Sequence, residues 1–316
     1  MNQRIASIKT VVTGCLFQLM LMGVVTGVDA ATFKLPSAGQ NVIGETVYIT
    51  AKREDTFIDI AQAYGLGYDE LVLANPTVDP WLPTQGERIL LPTRYVLPDA
   101  PREGIVINLP EMRLYYYPKA SDGDSAKVVT YPISIGRGEW ETPLGGTTVT
   151  TKTTNPAWYP PESIRAEHAA DGDPLPKVIP PGPDNPLGKF ALRLGLPGYL
   201  IHGTNRPNGI GMRVTHGCVR LYPDDIAGLF DSVGVGTTVR IVRQPYKLGW
   251  HNDVLYLESH PPFSEQRQTR RDDLEPLIDA LYEFRRSELD NQVDYRAALR
   301  FAREPLGIPI AVSSVN

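Results

Sequence analysis

The sequence predicts a mainly β protein with a small mixed unit on either side of a β-rich centre. Three observations predict it. Short runs of β-branched and aromatic residues follow one another from 105 to 154 with turn residues and no helical stretch between them. Further runs of that kind lie at 190–194, 199–202 and 238–242. Sustained helical periodicity is confined to 57–74 and 272–303. At 316 residues the chain suits two or three domains. Its 42% hydrophobic residues suffice for ordinary cores, and 21% charged residues exclude a disordered chain. A net charge of -5 gives no electrostatic case for nucleic-acid binding.

Residues 1–31 read as a cleaved secretory signal. Arg4 and Lys9 give the positive start, Val11 to Val28 is apolar, and Val28-Asp29-Ala30 offers small residues before a cut after Ala30 or Ala31. Uncleaved, the same run approaches the ~20 residues of a membrane anchor. Cys15 lies inside the apolar region, too early for a lipoprotein cleavage box. Removal of the signal leaves Cys218 as the sole cysteine, so the exported chain has no intrachain disulfide.

Residues 32–43 read as a flexible lead-in and 44–93 as a small separate module. Glu45 to Thr50 alternates like a strand. Asp55-Thr56 can cap a helix over Phe57 to Tyr64, Gly65-Leu66-Gly67 breaks it, and a second helix runs to Ala74 before Asn75-Pro76. Arg88 to Leu91 closes the module, and Thr93 to Arg102 is a stiff linker.

The central region, 104–244, begins with strands Ile105–Leu109 and Met112–Tyr117 around Pro110-Glu111. The tyrosine run reads as strand packing rather than a stacking platform. Strands at Val128–Ile135 and Thr147–Thr154 follow. Residues 155–189 are proline-rich and cannot sustain a ladder. They are expected to form a lid or rim, with Trp158 and Tyr159 as substrate contacts and His168 solvated. Two more strands end at His202, and a Gly-rich loop, 205–214, returns the chain to Cys218. Asp224-Asp225 can cap a short helix before the strand Thr238–Val242. Residues 245–316 read as a small α+β subdomain with a helix over 272–289 and strands near 255–258 and 308–312.

Chemistry concentrates at Ile201-His202-Gly203-Thr204-Asn205 and Thr215-His216-Gly217-Cys218-Val219-Arg220-Leu221. A thiol needs a base or a positive neighbour to ionise near neutral pH, and histidine titrates in that range. Cys218 is therefore read as nucleophile and His202 as its base. The alternative for the cysteine is a buried inert thiol. His216 either helps the site or shapes the Cys loop. Arg220 suits a carboxylate bidentately or forms a structural ion pair. Thr204 and Thr215 are candidate contacts or loop-shaping hydroxyls. Two histidines and one cysteine make a poor zinc site, so no metal or other cofactor is expected.

H-G-T-N, a gap and T-H-G-C-V-R-L resemble the signature of the L,D-transpeptidase (YkuD-like) family, as do I-G-x-G at 135–138 and E-T-P-x-G at 141–145. The resemblance implies a β-sandwich catalytic domain, a Cys218 acyl-enzyme, and peptidoglycan stem peptides as substrate, without metal. It implies Gly203, through its carbonyl, as the orienter of His202, and backbone N–H groups around Gly217 and Cys218 as the oxyanion site. The acyl acceptor would be a lysine of an outer-membrane lipoprotein, a second diaminopimelate, or water, the last giving a hydrolase. It also implies acylation by carbapenems and a Gram-negative periplasmic location. Asp55-Thr56-Phe57, Ile60-Ala61, Ala74-Asn75-Pro76 and Leu90-Leu91-Pro92 resemble a LysM module, a βααβ glycan binder. Pro83-Thr84-Gln85-Gly86 departs from its usual Pro-Gly. A degenerate spacer is the alternative for that module, and a non-catalytic wall binder the alternative for the whole chain.

Overall fold

The computed structural model describes residues 30–120, 125–261, 274–287 and 293–313. The expected signal lies outside them apart from residues 30 and 31, as do both ends of the helix expected over 272–289. The N-terminal part comprises β1 (Ala31–Lys34), β2 (Val42–Gly44), β3 (Val47–Thr50), α1 (Phe57–Ala63), α2 (Tyr68–Ala74), β4 (Arg88–Leu91) and β5 (Arg94–Val96). The centre continues through β6 (Gly104–Asn108), β7 (Arg113–Tyr117), β8 (Lys127–Pro132), β9 (Ile135–Gly136) and β10 (Gly145–Thr154). Next come α3 (Glu162–Ala170), β11 (Phe190–Leu194), β12 (Leu200–His202), β13 (Arg213–Thr215), β14 (Val219–Arg220), α4 (Pro223–Ser232) and β15 (Thr238–Val242). The hairpin β16 (Tyr246–His251) and β17 (Val254–Ser259), helices Glu275–Ser287 and Tyr295–Arg303, and β18 (Ile310–Ala311) complete the chain.

The fold is mainly β. Nine strands form one sheet in the order β1-β8-β7-β6-β15-β10-β11-β12-β14. One apolar core takes Ile105, Leu114 and Tyr131 from one part of the sheet and Leu192, Ile201 and Val219 from its far end. The sheet therefore curls around that core, giving a sandwich without a second large sheet. All five residues of β7 are buried, so its tyrosines pack rather than present a platform.

Two stretches differ from expectation. The lead-in carries β1, which pairs antiparallel with β8 from Ala31↔Thr130 to Lys34↔Lys127. Phe33 then meets the Tyr95 ring edge-on at 6.2 Å. The linker carries β5, which pairs with β2, and Tyr95, Val96 and Leu97 are buried. Apolar side chains at alternating positions gave these stretches somewhere to bury themselves, and proline content hid it.

Thr56 caps α1 in a reciprocal box with Asp59. Asn75, past the end of α2, donates to the carbonyls of Leu71 (2.8 Å) and Leu90 (2.9 Å) and accepts from the Leu90 N–H. That ties the helices to β4 around a core of Phe57, Ile60, Leu71 and Ile89. The unit packs directly on the centre. Arg113 donates to both Glu70 oxygens at 2.5 and 2.7 Å. The Tyr68 and Asp69 N–H groups donate to the carbonyls of Ile210 (3.1 Å) and Gly211 (3.2 Å), in the loop between His202 and Cys218. Gly211 has φ +80°, and a Cβ there would stand 2.2 Å from the Gly67 Cα, so only glycine permits this contact.

The C-terminal hairpin is tied to the centre by a buried ionic cluster. The Lys247 ammonium meets Glu111, Glu258 (2.9 Å) and the Val96 carbonyl (2.7 Å). His260 adds a contact of 2.7 Å to Glu258.

Candidate active site

Parallel pairing of β12 with β14 builds the site. Ile201 lies opposite Val219 and His202 opposite Arg220. Ile201 and Val219 point into the core, so His202 and Arg220 share the opposite face. Cys218, one residue before Val219, falls on that same face across from Leu200. Thiol and imidazole are thus diagonal neighbours on adjacent strands, about 7–8 Å apart at the backbone, a distance two side chains can bridge. Cys218 is a free, half-buried thiol, and His202 is 4% exposed.

The His202 Nδ1 lies 2.6 Å from the Gly203 carbonyl. A carbonyl only accepts, so Nδ1 carries the proton and Nε2 presents its lone pair. Burial, followed by the charge of Arg220, pushes the imidazole down to about 3, against the Gly203 and Leu187 carbonyls. Burial also pushes the Cys218 thiol up, against the Leu200 N–H and the charges of Arg220 and Arg193. At neutral pH the resting pair is a neutral thiol and a neutral imidazole, not a preformed ion pair. In this structure the thiol donates to the Gly198 carbonyl at 3.6 Å. Turned toward Nε2, it is a neutral thiol that a neutral imidazole can deprotonate as general base during attack.

Gly217 has φ +97°, and a Cβ there would meet the Tyr199 ring at 2.9 Å. Its N–H donates to Thr215 Oγ1 at 3.2 Å, and that hydroxyl donates to the Cys218 carbonyl at 2.6 Å. The Gly217 N–H is therefore already occupied, which leaves the Cys218 N–H for the expected oxyanion role. Thr215 and Thr204 are 2% and 5% exposed. The Thr204 hydroxyl accepts from the Arg206 N–H. Both hydroxyls are spent within their own loops, so they shape the backbone rather than meet a substrate.

The proline-rich stretch holds a helix, α3, instead of being loop throughout. Pro161 precedes its first turn, where a missing N–H costs nothing. The side chain of buried Asn185 donates to the carbonyls of Pro156, Ile179 and Pro180, and Trp158 exchanges backbone hydrogen bonds with Ile179. From this tied base α3 reaches the Cys loop. Glu167 accepts from His216 Nε2 at 2.8 Å and pairs with Arg137. Arg137, then His216, hold the Glu167 carboxyl below its usual range. Trp140 sets its ring edge against His216 at 5.0 Å. His216 therefore fastens lid to loop. Trp158 is half-buried at the lid base, while Tyr159 is 68% exposed and free to make contacts. His168 lies on α3, 3.6 Å from Asp173.

Arg220 is half-buried, and its Nε has no hydrogen-bond partner. Arg193 and Arg206 were not anticipated. Both act electrostatically here, Arg193 on Cys218 and Arg206 on Arg220. A lone charge in the apolar strand Phe190-Ala191-Leu192-Arg193-Leu194 was the available signal. Among the described residues, Glu111, Glu258 and His260 converge closely enough to hold a cation, but the Lys247 ammonium already lies against both carboxylates.

Residues 102–241 match the family model of the YkuD L,D-transpeptidase catalytic domain. The chain is 45% identical to "Probable L,D-transpeptidase YcfS" of Escherichia coli (strain K12) over 243 residues, 75% of each chain. It is 39% identical to "Probable L,D-transpeptidase ErfK/SrfK" of the same strain over 289 residues, 90% of this chain and 92% of that one. It is 43% identical to "Probable L,D-transpeptidase YbiS", also of that strain, over 248 residues, 77% of this chain and 79% of that one.

Proposed function

We propose the following reaction for this chain, which belongs to the L,D-transpeptidase family. Cys218 attacks the carbonyl on the L-centre of diaminopimelate in a peptidoglycan tetrapeptide stem. His202 Nε2 takes the thiol proton as the C–S bond forms, then gives it to the amine of departing D-alanine. The Gly203 carbonyl keeps the ring in the required tautomer, and the Cys218 N–H donates to the developing oxyanion. An acceptor amine then attacks the thioester, losing a proton to His202, and the sulfur leaves and is reprotonated. The acceptor is a lysine of an outer-membrane lipoprotein, anchoring it to the wall, or a second diaminopimelate, giving a 3-3 cross-link.

The observation that carries this reading is the β12–β14 register, which supports a joint role for thiol and imidazole on one face outside the core. The positive start and apolar run of residues 1–31 support export to the periplasm. The N-terminal strand–helix–helix–strand unit, with Trp81 61% exposed beside Tyr68, is proposed to hold wall glycan near the site.

Purified protein supplied with tetrapeptide muropeptides, a lipoprotein-terminal lysine peptide and a diaminopimelate-bearing acceptor tests the reaction by mass spectrometry. The expected result is D-alanine release with a joined product, and neither with Cys218→Ala. Trimmed stem without joined product would make the chain a hydrolase. No release at all, with binding to wall intact, would make it a wall binder.

A further inference from the structure

The sheet register places a second charged group in line with the thiol. Arg193 on β11 lies opposite Leu200 on β12, and Leu200 lies across from Cys218. Leu192, Ile201 and Val219 from the same three strands all enter the core. Arg193, Leu200 and Cys218 therefore form one row on the outer face, with two strand spacings, about 9–10 Å, between the end members. The neighbouring row is Ala191, His202 and Arg220. His202 stands diagonally between Cys218 and Arg193, and Ala191, the smallest side chain of the two rows, flanks it.

Arg193 is exposed, and its guanidinium has no hydrogen bond or ion pair among the described residues. The same is true of Arg206, and the Nε of Arg220 is buried without a partner. Two cationic side chains, Arg193 and Arg220, act on the thiol, and Arg206 acts on Arg220. With no carboxylate paired to them among the described residues, they suit an anionic ligand. A donor whose scissile carbonyl sits at Cys218 has its leaving amine within reach of His202. One residue further, about 4 Å on, the chain ends in a carboxylate. A peptide laid across Leu200 brings that carboxylate to Arg193.

We propose that Arg193 is a specificity-determining residue that binds the terminal carboxylate of the acyl donor, so that the enzyme selects donors ending one residue past the scissile bond. The proposal rests on the transpeptidase reading above. Arg193 holds the leaving residue during attack, while Arg220, on the other side of His202, is free for a second carboxylate of the stem.

The test compares two donors, a tetrapeptide ending in the free acid and the same peptide ending in a carboxamide. D-alanine or D-alaninamide release is followed for unsubstituted enzyme, Arg193→Gln and Arg193→Lys. A charge-assisted hydrogen bond lost at a partly solvated site lowers kcat/KM about tenfold or more. Unsubstituted enzyme should prefer the acid by about that factor. Arg193→Gln should bring the acid-to-amide ratio close to one by slowing the acid donor alone. Arg193→Lys should keep part of the preference, and it decides the matter should the glutamine variant fail to fold. An acid preference unchanged in both soluble variants would overturn the role of Arg193 while leaving the transpeptidase reading intact. No release from either donor by unsubstituted enzyme would overturn both.

Discussion

Replacing Glu70 with alanine measures how firmly the N-terminal unit supports the site. Arg113 is 1% exposed and donates to both Glu70 oxygens, at 2.5 and 2.7 Å. It also donates to Thr130 Oγ1 at 3.1 Å and lies 4.3 Å over the Tyr95 ring. Truncating Glu70 leaves the buried guanidinium without its hydrogen-bonded carboxylate and removes the acceptor of the Gly67 N–H. Breaking a buried pair from one side costs about 3–5 kcal/mol, against a typical total of about 5–15 kcal/mol. Urea unfolding followed by tryptophan fluorescence should show a loss in that range for Glu70→Ala. D-alanine release should fall as well, below the unfolding transition, because α2 also holds the carbonyls of Ile210 and Gly211 in the active-site loop. The paired change Glu70→Leu with Arg113→Met removes both charges and should recover most of the stability. A loss under about 1 kcal/mol for Glu70→Ala, or a double variant as unstable as the single one, would refute this account of the junction.

Three further outcomes follow from the same geometry. Burial holds the thiol above its ordinary value, so iodoacetamide should label Cys218 slowly at pH 7, with a rate still rising beyond pH 9. A plateau near pH 7 would mean a preformed thiolate. Burial raises the Asp225 carboxyl to about 7, and its Oδ2 has no hydrogen-bond partner. The folded state therefore binds that proton more tightly than the unfolded chain, and the group withdraws stability as pH rises from about 4 to 7. Between pH 5 and pH 8 the unsubstituted protein should lose about 2–3 kcal/mol relative to Asp225→Asn in urea titrations. A constant difference between the two would contradict it. Glu167→Gln should loosen α3 from His216 and Arg137, speeding tryptic cleavage at Arg165 about two- to fivefold, and an unchanged rate would deny the fastening.

The two motifs stood out through their resemblance to the L,D-transpeptidase signature, while the pairing of β12 with β14 that brings them together could not be read from a separation of sixteen residues. The run of strands from 105 to 154 was legible, since alternation and turn residues are near-neighbour signals. What escaped depends on which strands become neighbours. Arg193 matters because β11 lies beside β12, which no local pattern states. Glu167 meets His216 only once a proline-rich stretch is closed at its base by Asn185. Lys247 is buried because Glu111 and Glu258 converge on it from distant segments, which again no local pattern states. Phe33 and Tyr95 were assigned to flexible or linking stretches because proline-bearing neighbours masked two short strands.

The thioester itself is the most direct measurement. Intact-protein mass spectrometry on enzyme mixed with a tetrapeptide donor, or with a carbapenem, and quenched in acid should show one acyl adduct that maps to Cys218. His202→Ala should form it far more slowly, and Cys218→Ala should form none. D-alanine released at the ordinary rate by Cys218→Ala, or an adduct mapped to another residue, would contradict the account.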